Sequence, residues 1–199
     1  MNYIALIFTV FFSLLAQASP ELSEQEASAV ISRDMSSDVL YWNPFPIPYE
    51  VVQGSKDPNT EVLNGLLRQK LITKEEVSHP VTVKNGRAAE KKLVLYWLYR
   101  GAQPSYEELG FYYGRPHLKQ ILSISKPVQS QGAIIAEVQV AWSVVDIQPW
   151  IKDPSLRKAR TLRRSLESDA KPFSKFYYLE YLEGAWQIWR PNEVDDFGF

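Results

Sequence analysis

The feature that most constrains this fold is a regular alternation of side chains over residues 134–145. The positions on one side are all apolar, namely Ile134, Ala136, Val138, Val140, Trp142 and Val144, and the positions between them are mixed. A period of two over this length predicts a β-strand with one face buried. Such a strand needs sheet neighbours and a layer that covers its apolar face.

Five further segments have the composition and spacing of strands, and short turns join several of them. Asn85-Gly86 is a strong hairpin pair, and Glu183-Gly184 has the spacing of a tight turn, so we expect antiparallel pairing. Residues 87–92 suit either a strand or a helical turn. The predicted strands are residues 81–83, 93–99, 118–126, 173–182 and 185–189.

Three capping signals for helices occur before residue 80, and an extended segment lies between the first two. Ser23 with Glu26 has capping-box spacing, Thr60 is a candidate N-cap, and Thr73 with Glu76 repeats the capping-box spacing. A further helix is predicted from Asp153 or Ser155 to residue 168. Between the first two signals, three alternating prolines in residues 41–49 favour an extended strap that covers a core edge or docks another protein.

These elements predict an α+β protein with a curved antiparallel sheet of four to six strands and helices packed on one face. The predicted divisions are a signal peptide over residues 1–18, a small helical and Pro/aromatic region over 19–80, a sheet domain with a basic helix over 81–193, and a flexible tail over 194–199.

The signal peptide is predicted from an apolar run over residues 4–15 followed by Ala16-Gln17-Ala18, a small-x-small cleavage pattern. No Lys or Arg precedes the run, which departs from the usual pattern. Cleavage after Ala18 leaves no stable membrane span, whereas an uncleaved anchor is the alternative. The absence of cysteine and of glycosylation sequons favours a bacterial periplasmic or secreted protein over a eukaryotic secreted one.

Charge is nearly balanced, with a net charge of −1, so we expect no nucleic-acid partner. Residues 150–175, however, contain eight basic and three acidic side chains. On a helix, Arg157, Arg160 and Arg164 would share one face, which suits an anionic partner or, alternatively, an ordinary solvated surface. Trp186 and Trp189 fall on opposite faces of the last strand, so at least one is a candidate contact residue.

A second polar group comprises Glu107 and Glu108 followed by Arg115 and His117. Gathered in a cleft, a carboxylate and an imidazole can perform acid–base chemistry, whereas the alternative is a solvated connection. The histidines lack metal-ligand spacing, and no phosphate-binding glycine loop is present, so no metal or cofactor is predicted.

The final hairpin, residues 177–189, resembles the closing strands of cystatin-like and nuclear-transport-factor-2-like sheets, and the whole chain resembles small exported bacterial proteins. Those superfamilies contain enzymes, inhibitors and binding modules, so the resemblance implies a sheet but selects no activity.

The sequence therefore predicts a non-enzymatic exported accessory protein of the bacterial envelope that binds an envelope or effector protein, with no prediction of oligomeric state. Two alternatives stay open. One is a ligand-binding or hydrolytic cleft that uses Glu107, Glu108 and His117, and the other is a peripheral module that binds anionic lipid or polysaccharide. The candidate binding residues are Arg157, Arg160, Arg164, Arg115, Trp186 and Trp189.

Overall fold

The computed structural model describes residues 20–85, 88–130 and 132–190. It confirms an α+β fold with a strongly curled antiparallel sheet and helices packed on one face. The helices are α1 (Glu24–Ser37), α2 (Thr60–Arg68), α3 (Pro104–Glu108) and α4 (Arg160–Leu166). The strands are β1 (Leu40–Trp42), β2 (Tyr49–Val52), β3 (Ile72–Asn85), β4 (Ala88–Gly101), β5 (Phe111–Ile124), β6 (Val128–Ser130), β7 (Ala133–Val145), β8 (Phe173–Leu182) and β9 (Ala185–Ile188).

The main sheet has the order β1-β5-β7-β8-β9, and β6 also pairs with β7. The strand predicted from the alternation is β7, which lies at the centre of this sheet. The predicted terminal hairpin is β8–β9, in which Tyr181 pairs with Trp186. Both predictions are confirmed because they rest on local signals, a period of two and a tight turn.

Helix α1 covers one end of the apolar face of this sheet. Its capping box is present, since Glu26 N–H donates to Ser23 Oγ and Ser23 N–H donates to the Glu26 carboxylate. Ala27 and Ile31 are fully buried against Val138 and Leu179. The first helix predicted from the capping-box spacing is therefore confirmed.

A second, three-stranded sheet has the order β2-β4-β3 and is dominated by a long hairpin. The predicted hairpin is confirmed, with pairing from Ile72 opposite Gly101 to Asn85 opposite Ala88. The capping-box prediction at Thr73 and Glu76 is wrong, because both residues lie in β3. This strand also runs through the boundary predicted after residue 80.

The outer half of this hairpin is a two-stranded arm, because β2 pairs only with residues 96–99 of β4. Along one face of β4, exposure rises from 6% at Tyr99 to 45% at Leu95 and 74% at Leu93. An apolar stripe therefore continues from the core onto the solvated arm.

The extended segment after α1 packs as a strap. Its β1 pairs with β5, its β2 pairs with β4, and Phe45 and Ile47 between them are buried. The strap thus lies over a second group of buried apolar side chains, separate from the one under α1. Helix α2, the start of β5 and α4 also contribute to this second group.

The chain before α4 differs from the single long helix that the sequence predicts. It forms two 3-10 turns, Pro149–Lys152 and Pro154–Leu156, before the short α4 begins. Leu156 and Leu162 are buried, whereas Leu166 is 40% exposed. The prolines that start each turn and the Asp153 side chain, which accepts from Ser155 N–H at 2.9 Å, divide the segment.

The predicted signal peptide and the predicted flexible tail lie outside the described residues. Among the helices of residues 20–85, 88–130 and 132–190, none has the length and apolar character needed to cross a membrane.

Candidate functional site: a basic surface around α4

Two hollows flank the segment that contains α4, and basic side chains border both. The first, which we name the aliphatic hollow, has a volume of about 400 Å³. Buried Ile151 and Leu156 and exposed Leu166 supply its apolar lining. Its basic residues are Lys152, Arg157 and Arg163. This combination suits a partner group that is apolar at its centre and acidic around it.

The second, which we name the aromatic hollow, has a volume of about 410 Å³ and lies between α4 and the sheet. Trp142 and Phe173 stack there at 4.6 Å with 27° between their rings. Arg160 and Arg164 line the same hollow, together with Thr161 and Tyr113. The Tyr113 phenol, like any phenol, is protonated at neutral pH, and burial raises its pKa further against the opposing effect of the Ser165 side chain.

Arg164 differs from the other arginines near α4 because it already has partners within the protein. Its guanidinium lies 4.7 Å from the centroid of the Phe173 ring, and Nη2 donates to Lys171 O at 3.1 Å. The side chain is 31% exposed, and Nη1 lies 3.9 Å from Glu167 Oε2. Arg164 therefore fixes α4 to the start of β8 as well as lining the hollow.

By contrast, Lys152, Arg157, Arg160 and Arg163 are exposed, and none of their side chains forms a hydrogen bond or ion pair within the described residues. We name these four side chains the α4 surface. Elsewhere, Arg68, Arg100 and Arg190 each pair with a carboxylate. The α4 surface thus concentrates positive charge that the described part of the chain does not neutralise.

No protein-family model, curated protein or solved structure matches this chain. The resemblance of the last hairpin to cystatin-like sheets stays a prediction.

The structure places the other predicted binding residues away from α4. Trp186 is buried beneath α1, where it contacts the edge of Tyr181. Trp189 lies on the opposite face of the sheet and meets the edge of Tyr178 at 6.2 Å. Arg115 donates to Ser36 O at 3.3 Å, at the end of α1. The predicted set is therefore spread over separate places.

The structure separates the two carboxylates of the predicted acid–base group from Arg115 and His117, which line one hollow beside α1. Glu107 is in α3 and accepts a hydrogen bond from Gly101 N–H at 3.2 Å. Glu108 is exposed on the same helix. His117 is exposed on β5 and lines a hollow of about 200 Å³ beside α1. The six residue-to-residue steps of β5 from Phe111 to His117 span about 20 Å.

Sequence reasoning did not assign two kinds of residue to the site. Lys152 and Arg163 belong to the basic segment 150–175. The prediction of one long helix did not place either residue on the face shared by Arg157, Arg160 and Arg164. Trp142 and Phe173 join the site only because β7 pairs with β8, and no local signal indicates their meeting. Within residues 20–85, 88–130 and 132–190, no group of three His, Asp or Glu side chains is arranged to hold a metal ion.

Proposed function

We propose that this protein is a non-enzymatic accessory protein of the bacterial envelope that binds an acidic surface of another protein at the α4 surface. The observation that carries the proposal is a group of exposed cations without carboxylate partners in the described residues: Lys152, Arg157 and Arg163 border the aliphatic hollow, and Arg160 lies beside them on α4. Arginine is enriched at protein interfaces because its planar group binds carboxylates in a bidentate way.

The apolar lining of the aliphatic hollow supports a protein partner over a purely electrostatic one. A charged ring gives specificity and speeds association, whereas most of the binding free energy comes from apolar groups that become buried. Leu166, which is 40% exposed beside buried Ile151 and Leu156, can gain such burial. A leucine or aromatic side chain flanked by Asp or Glu matches this arrangement.

Charge reversal tests the proposal. The variant Arg157→Glu/Arg160→Glu/Arg163→Glu should lose its partner in cross-linking from an envelope extract. The matched control is Lys56→Glu/Lys91→Glu/Lys92→Glu, which makes the same change in net charge at exposed lysines away from α4. The control should keep the partner, because a local surface rather than the overall charge is proposed.

Site-specific cross-linking makes the test sharper. A photoreactive residue in place of Leu166 should cross-link to an acidic segment of one partner, and the same residue in place of Leu93, on the arm, should not. Identical partners for wild type and the arginine variant would overturn the proposal.

Export is a separate part of the proposal and has its own test. Mass spectrometry of the protein from periplasm or medium should find an N-terminus at Ser19. Intact chain with residues 1–18, found in the cytosol, would overturn the proposed location without affecting the binding experiment.

A further inference from the structure

Arg164, which lines the aromatic hollow, uses only part of its hydrogen-bonding capacity within the described residues. Arg164 Nη1 is inaccessible to solvent and has no hydrogen-bond acceptor, and it is the one buried side-chain nitrogen or oxygen of the described residues in that state. Its ion-pair partner Glu167 Oε2, at 3.9 Å, is beyond hydrogen-bond distance. Nη1 itself is enclosed, so a ligand in the hollow meets the exposed 31% of the Arg164 side chain and its positive charge.

The remaining polar groups in the hollow also suit an anion. Arg160 lines it and has no acceptor within the described residues. Thr161 has a hydroxyl there, and the protonated Tyr113 phenol is a further donor. The ionised side chains that line the hollow are both arginines. Two guanidinium groups beside hydroxyl donors match the oxygens of one carboxylate.

The walls of the hollow favour a flat apolar group next to that anion. The Trp142 and Phe173 rings are both half-buried, so part of each ring still faces solvent. Aromatic rings pack well against such surfaces in offset or edge-to-face arrangements. The volume of about 410 Å³ is within the range of small-molecule sites, about 300 to 1,000 Å³.

We infer that the aromatic hollow is a binding site for a small aromatic carboxylate. The carboxylate lies between the guanidinium groups of Arg160 and Arg164, and the aromatic ring packs against Trp142 and Phe173. A free phosphate would use the arginines but leave the aromatic walls uncovered, and a neutral aromatic compound would leave the two guanidinium groups without an anion. The site thus selects for both groups in one molecule.

This site is distinct from the proposed protein interface. It needs Arg160, which borders both, but does not need Lys152, Arg157 or Arg163 on the other flank of α4. Loss of small-molecule binding and loss of protein binding can therefore be separated by variants.

The test uses benzoate as the probe, with benzamide, acetate and inorganic phosphate as comparisons. Binding is followed by the NMR signal of the Trp142 indole N–H, assigned with Trp142→Phe, and by thermal unfolding. Benzoate should shift this signal saturably and raise the midpoint of unfolding. Each comparison compound should bind at least about tenfold more weakly, because it lacks one of the two recognised groups.

Variants show whether the arginines hold the carboxylate. Arg160→Gln should weaken benzoate binding about tenfold or more, and this exposed residue can change without loss of folding. Arg164→Lys tests the second guanidinium, and Arg160→Gln keeps the inference testable if Arg164→Lys is unstable. Arg157→Gln is the matched control and should change benzoate affinity less than about twofold.

Three results would overturn the inference: benzoate binding no tighter than acetate or benzamide, phosphate binding tighter than benzoate, or full benzoate affinity in Arg160→Gln. None of these affects the proposed function. Conversely, Arg157→Glu/Arg163→Glu that loses the protein partner but keeps benzoate binding would support both sites separately.

Discussion

Arg68 on α2 donates a hydrogen bond to Oδ1 of Asp153, at 2.8 Å, across 85 positions of sequence. Asp153 lies between the two 3-10 turns that precede α4, and its side chain is only 4% exposed. It also accepts from Gln69 Nε2 at 3.0 Å and from Ser155 N–H at 2.9 Å. This carboxylate therefore joins the end of α2 to the segment that positions the α4 surface.

The first prediction concerns the loss of that charge. Asp153→Asn should lower the free energy of unfolding by about 2 kcal/mol, because hydrogen bonds to a buried charged group are lost. Urea unfolding measures the change. The control Glu61→Gln removes the exposed ion pair with Lys158 and should cost under about 0.5 kcal/mol. Equal losses in the two variants would contradict the structural role of Asp153.

The second prediction concerns pH. The Arg68 guanidinium, helped by donors on Ser155 and Gln69, holds the pKa of Asp153 well below its usual range despite burial. In the unfolded chain the pKa of this carboxyl is about 3.9. The stabilisation that the ionised form gives the folded protein is therefore complete above about pH 5 and is progressively lost as the pH falls below about 4. Asp153→Asn should therefore show a smaller loss of stability than wild type between pH 6 and pH 3. A parallel pair of pH curves would refute this assignment.

The third prediction concerns Ser168, which is fully buried. Strand β8 pairs with β7 only as far as Phe173 opposite Trp142, so Ser168 Oγ instead accepts from Val144 N–H, at 2.9 Å. Ser168→Ala should cost about 2 kcal/mol, because a buried donor loses its acceptor. Exposed Ser174→Ala is the matched control. Faster amide exchange at Val144 in Ser168→Ala would locate the effect, and unchanged exchange would contradict it.

The fourth prediction concerns Gly114, where β5 closely approaches β7. A Cβ there would lie 2.5 Å from Val144 Cγ1 and 2.9 Å from Val145 O. Gly114→Ala should therefore cost about 2 kcal/mol or more through overpacking. At Gly54 the space is open but φ is +78°, so Gly54→Ala should cost about 1 kcal/mol from backbone strain alone. Thermal unfolding should rank the two variants in this order, and the reverse ranking would argue against the close approach.

The fifth prediction tests the arm. Leu93→Ala should change the free energy of unfolding by less than about 0.5 kcal/mol, because Leu93 is 74% exposed. Leu98→Ala, on the same strand, should cost about 2 kcal/mol or more, because Leu98 is 7% exposed. A large cost at Leu93 would mean that the arm packs against another surface.

Local sequence patterns were sufficient to predict much of the main sheet. The alternation in β7 and the Glu183-Gly184 turn are properties of adjacent residues, and both elements were predicted nearly to the residue. Thr73 and Glu76 have an equally local capping pattern, yet pairing with β4 determines their conformation. Capping spacing contributes only about 1 kcal/mol, which a ladder of strand hydrogen bonds readily exceeds.

The candidate site was predictable only in its composition. The excess of basic residues over 150–175 is evident in the sequence, but which arginines remain available depends on distant contacts. Arg164 is engaged because Phe173 and the Lys171 carbonyl lie beside it. Arg160, one helical turn earlier, forms no such hydrogen bond or ring contact within the described residues.

The position of Pro80 in β3 limits how this molecule can associate. β3 is an edge strand of its sheet, and a proline in a strand is accommodated where its nitrogen faces away from the neighbouring strand. The β3 border of the arm thus has no donor near its midpoint, so a foreign strand cannot complete a continuous ladder along that border. The chain can extend a long two-stranded structure into solvent with less risk of growing into a fibril.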